Sequence, residues 1–65
     1  MAAPGQGAGS EVYFEFMQMG GQVRVVAIDA ATGTEVTIIA PLTATQIQMQ
    51  TIALAKLKRR MSSQN

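Results

Sequence analysis

Gln22–Ala40, reading QVRVVAIDAATGTEVTIIA, decides the fold. Val23, Val25 and Ala27 alternate with Arg24, Val26 and Ile28, and further on Val36, Ile38 and Ala40 alternate with Glu35, Thr37 and Ile39. Period-two runs rich in β-branched side chains suit a pleated, partly buried surface. Between them stands Asp29-Ala30-Ala31-Thr32-Gly33-Thr34. The aspartate can hydrogen-bond the backbone ahead of it, and the glycine can take positive φ at little cost. That combination suits a short loop built on a type I turn with a left-handed glycine. With Asp29 opposite Thr34, Ala27 faces Val36 and Val25 faces Ile38, so both apolar sets share one side. A slip of one residue would divide them between the two sides, so the pattern itself selects the register.

Upstream, Glu11–Met19 (EVYFEFMQM) reads as a further strand, with Val12, Phe14 and Phe16 pointing one way and Tyr13, Glu15, Met17 and Met19 the other. Gly20-Gly21 supplies a two-residue hairpin turn. Setting Met19 opposite Gln22 brings Phe16 against Val25 and Phe14 against Ala27. The three strands then form an antiparallel meander with one apolar face made of Val12, Phe14, Phe16, Val23, Val25, Ala27, Val36 and Ile38.

Downstream, Pro41 has no N–H for a ladder and is expected to end the third strand. Thr43 reads as a helix N-cap, with Gln46 completing a capping box. No glycine or proline interrupts Ala44 to Met61. On a helical wheel Ile47, Leu54, Leu57 and Met61 form one apolar stripe with Ala55 at its margin, expected to lie across the Phe14/Phe16 face. The fold class is α+β: a three-stranded antiparallel meander followed by one C-terminal helix, β-β-β-α, in a single domain spanning residues 11–61. Met1–Ser10, small and glycine-rich, reads as a disordered tail, and residues 62–65 as a frayed end.

The chain has 65 residues, no cysteine and no histidine. A domain of this length buries only about 60% of the surface its unfolded chain exposes. Disulfides, thiol chemistry and the common zinc sites are excluded by composition. Oligomerisation is the remaining usual aid to a small domain. The net charge is +1, but it is unevenly spread. One cation and four acids precede Lys56, a net of −3, while Lys56, Lys58, Arg59 and Arg60 follow. No apolar run approaches the roughly 20 residues that cross a bilayer, and Met1–Ser10 lacks the basic start and apolar centre of a signal peptide. Absence of cysteine fits the cytoplasm.

Catalysis finds little to work with. Histidine and cysteine are missing. Glu15 and Glu35 share a face but sit on the two outer strands. Asp29 serves its turn and Thr43 a cap. Neither glycine cluster stands between a strand and a helix, where it could cradle phosphate. A non-catalytic protein without cofactor or metal is expected, and attention passes to its surfaces. The second sheet face carries Tyr13, Met17, Val26, Ile28 and Ile39 as an apolar patch, with Arg24 and Glu15 placed to pair diagonally. Apolar patches of this kind mark contacts. Met49, Ile52 and Ala53 make a weaker second apolar side of the helix. These two surfaces imply a homodimer or higher homo-oligomer, or a second protein as partner.

Lys56, Lys58, Arg59 and Arg60 suggest an alternative, nucleic-acid binding through phosphate contacts. Cations near a helix C-terminus also complement its dipole and its free carbonyls. These four are spread around the wheel, and no aromatic residue stands among them to offer a stacking platform.

EVYFEF followed by VRVVAIDAATGTEVTI resembles a family of short bacterial proteins of unknown function, which run from an aromatic first strand through an AIDxxTGxEV turn into a basic-ended helix. The resemblance covers Glu11 to about Arg60. It is a hairpin signature, and it implies no activity and no binding residue.

Overall fold

The computed structural model describes residues 11–63. The expected tail at Met1–Ser10 and the last two residues lie outside that range. Strand β1 spans Val12–Met19, β2 spans Gln22–Asp29, β3 spans Glu35–Pro41, and helix α1 spans Gln46–Ser62. The strands form one antiparallel sheet in the order β1-β2-β3. The helix packs on one face of it.

Both hairpins adopt the register that the apolar pattern demands. Met19 pairs with Gln22, Phe16 with Val25 and Phe14 with Ala27. On the other side of β2, Val25 pairs with Ile38 and Ala27 with Val36. Gly20 has φ of +64° while Gly21 stays negative, the φ pattern of a type II′ turn, whose twist suits the strands it joins. The second turn is tied more heavily. Asp29 N–H donates to the Thr34 carbonyl at 2.8 Å, and Gly33 N–H, at a φ of +77°, donates to the Asp29 carbonyl at 2.8 Å. The buried Asp29 carboxylate accepts from Thr32 N–H at 2.9 Å and from the Thr32 hydroxyl at 2.8 Å. A carboxylate out of water needs such partners, and here its own loop supplies them.

Three details of the C-terminal half depart from the pattern-based reading. β3 does end at Pro41, but the strand includes it: Pro41 pairs with Gln22 as the last residue. Asp29 and Thr34 are hydrogen-bonded, so by alternation Glu35, Thr37, Ile39 and Pro41 turn their backbone groups to the free edge. A missing N–H at Pro41 therefore removes no ladder bond.

The helix is capped by Thr45, not Thr43. Gln48 N–H donates to the Thr45 hydroxyl at 3.1 Å, and Thr45 N–H donates to the Gln48 side chain at 2.9 Å. The sequence TATQIQ holds two overlapping threonine-to-glutamine frames. The later one is used because Ala44 N–H is committed to a turn on the Pro41 carbonyl at 3.0 Å.

The buried stripe is also different. Met49, Ala53 and Leu57 face the sheet, while Ile47 is 74% exposed in the first turn. The core joins these three to Val25, Ala27, Val36 and Ala40, with Phe14, Val23, Ile38 and Met61 packed around it. Ala53 and Ala27 are both wholly buried. Small side chains at this seam let helix and sheet approach closely. Full burial of Leu57 and Val25 contributes roughly 1.5–3 kcal/mol each.

Helix α1 lies over β2 and β3, leaving β1 at its flank. Phe14 and Phe16, stacked with ring centroids 6.5 Å apart, point to the helix side, but Phe16 remains exposed.

Candidate functional site

The face turned away from the helix is built in rows across the three strands. Tyr13, Ile28 and Glu35 form one row, Glu15, Val26 and Thr37 the next, and Met17, Arg24 and Ile39 a third. Met19, Gln22 and Pro41 close it at the far end. The apolar residues at the strand edges are open to solvent: Tyr13 and Met17 are each 55% exposed and Ile39 is 54% exposed. Met19 is exposed as well. Those in the middle are covered. Val26 is only 7% exposed, flanked on the central strand by Glu15 and Thr37, and Ile28 is half-buried between Tyr13 and Glu35. The face is thus mixed: exposed apolar Tyr13, Met17, Met19 and Ile39 at the strand edges, exposed Glu15, Gln22, Arg24, Glu35 and Thr37 among them, and a covered Val26 at the centre.

The charges here are Glu15, Glu35 and Arg24, with Glu11 beside Tyr13. Arg24 lies between Met17 and Ile39, and it forms no ion pair with Glu15. Tyr13 donates its hydroxyl to the Glu11 carboxylate at 3.2 Å. That hydrogen bond, and then the carboxylate's negative charge, raise the phenol above its ordinary value of 10.0.

The helical part of the expected surface separates into two. Met49 is 8% exposed and belongs to the core, so it is not on an outer helix side. The wheel misplaced it because alanine at position 53 carries too little hydrophobic weight to mark the centre of the buried face. Ile52 is exposed. It lines an open groove with Ile38, Ile39, Ala40, Pro41, Thr43, Ala44 and Gln48, between the helix start and the β3 edge.

The four cations of the helix end do not act alike. Lys56 Nζ donates to the Thr37 carbonyl at 2.7 Å, on the free edge of β3. Lys58, Arg59 and Arg60 are exposed, the two arginines in the last helical turn. Residue patterning assigned Lys56 to a cluster and missed this bond. A lysine 19 positions from the strand it serves leaves no local signal.

Among the described residues there is no cluster of acidic side chains able to hold a metal ion. No described helix is long and apolar enough to cross a membrane. A family model, Domain of unknown function (DUF6898), matches residues 9–64. No curated protein and no solved structure matches. The chain belongs to the DUF6898 family.

Proposed function

We propose that this DUF6898 member is a small self-associating interaction module, whose outer sheet face meets the same face of a second copy. The observation that carries this reading is the exposure of Tyr13, Met17, Met19 and Ile39 on a single face of a sheet whose other face is covered by the helix over β2 and β3. A one-sided antiparallel sheet ordinarily turns polar residues to water. The occupant is a second copy because the face is self-complementary. It carries one cation, Arg24, and three carboxylates, Glu15, Glu35 and, at its end, Glu11, which accepts from the Tyr13 hydroxyl. A two-fold contact can therefore set each Arg24 against a carboxylate of the other copy.

Sedimentation equilibrium of the unmodified chain and of a Met17→Lys/Ile39→Lys double variant tests it. Both positions are exposed, so the folded monomer should keep its stability within about 0.5 kcal/mol. The unmodified chain should exceed the monomer mass, and the double variant should sediment at a lower mass. A monomer at every concentration, or a double variant of unaltered mass, overturns the reading.

Nucleic-acid contact by the helix end has less support. Lys56 is engaged on the Thr37 carbonyl, and Arg59 and Arg60 stand where cations complement the helix dipole.

A further inference from the structure

The two free edges of the sheet are finished differently. On β3 the outward Thr37 carbonyl takes Lys56, the outward Pro41 carbonyl takes Ala44 N–H, and Pro41 has no N–H to offer. Lysine, proline and a covering helix are devices that stop an edge from pairing with another strand.

None of them is present on β1. Ala30 N–H donates to the Glu11 carbonyl at 3.0 Å, which fixes the phase of the ladder. Tyr13, Glu15, Met17 and Met19 are then the residues bonded to β2. Val12, Phe14, Phe16 and Gln18 turn their N–H and C=O groups outward along an edge of eight residues. That strand holds no proline and no cation, and the helix lies over β2 and β3 instead.

We propose that β1 pairs antiparallel with β1 of a second copy across a two-fold axis, joining two sheets of three strands into one of six. This interface is separate from the outer face and does not rest on it. The strand suits itself as occupant. Two such edges meet through the same outward residues, and centring the axis on Phe14 sets Val12 opposite Phe16 and Tyr13 opposite Glu15. No carboxylate then faces another, whereas centring on Glu15 would oppose two of them, a destabilising arrangement. Parallel pairing in register would oppose both Glu11 and Glu15 with their copies. The Phe14–Phe16 stack beside each helix, with Phe14 part-buried against the core and Phe16 exposed, would run on across the axis into its counterpart on the same side of the joined sheet.

Amide hydrogen exchange, read residue by residue across a dilution series, tests this without any substitution. Tyr13, Glu15 and Met17 amides should be protected throughout. Phe14 and Phe16 amides should gain about tenfold or more protection at high concentration and lose it on dilution. The same series on an Ile39→Lys variant, which alters the outer face on β3 and leaves β1 unchanged, separates the two interfaces. Protection at Phe14 and Phe16 that persists in the variant supports the edge contact whatever becomes of the face. Amides at 14 and 16 that exchange freely at every concentration overturn it, and a mass that still falls in the variant would then leave the face contact standing.

Discussion

The two faces of this sheet are drawn from the same strands and from much the same residues, yet they differ in fate. On the helix side Val25, Ala27, Val36 and Ala40 are sealed under Met49, Ala53 and Leu57. On the far side Tyr13, Met17 and Ile39 stay more than half exposed. Strand composition does not separate these cases. What separates them is that the chain supplies one helix, and that helix covers one face only, and of that face two strands out of three. The apolar residues beyond its reach are where a second molecule would contribute most.

The largest expected effect strikes the covered face. Leu57→Ala should cost about 2–5 kcal/mol of unfolding free energy, measured by urea denaturation, because Leu57 is almost wholly buried. Ile47→Ala, on the same helix and once expected in the same stripe, should change stability by about 0.5 kcal/mol or less. Equal losses from the two would erase the contrast between the faces.

A smaller effect should come from the residue that places the helix over its face. Thr45→Ala should cost about 0.5–2 kcal/mol through loss of the cap, while Thr43→Ala should leave thermal unfolding nearly unchanged. The opposite ranking would mean that the helix starts one half-turn earlier than Thr45 allows.

The smallest effect belongs to the outer side. Tyr13 is protonated more tightly in the folded chain because of Glu11. Its contribution is therefore complete below the unfolded phenol value near pH 10 and is lost as pH rises through the higher folded value. A phenolate absorbance titration of Glu11→Gln should show the Tyr13 midpoint moving down toward the ordinary value. An unmoved midpoint would show that the hydrogen bond does not form in solution.

The sheet was readable from the sequence because strand period is two and each hairpin had a turn that admitted only one register. Asp29 and Gly33 announce the long turn, and Gly20-Gly21 the short one. The helix was less readable for local reasons. TATQIQ offers two caps of equal quality, and only the turn closed by Ala44 on Pro41 chooses between them. A wheel ranks residues by hydrophobicity, so it favoured Ile47 over Ala53, although contact between layers rewards a small side chain at the point of closest approach. The apolar residues of the outer face were legible. The burial of Val26 was not, because it depends on neighbours contributed by both flanking strands.

Along β1 the parity of the residue number sorts two duties. Odd positions send side chains to the outer face and backbone groups to β2; even positions send side chains to the helix side and backbone groups to the open edge. Side-chain changes at 13, 17 and 19 can thus re-specify what the face recognises without altering which peptide groups line the edge. Changes at 14 and 16 remodel the seam beside the helix and leave the face's lettering intact. Within eight residues, the strand offers two recognition properties that can drift independently.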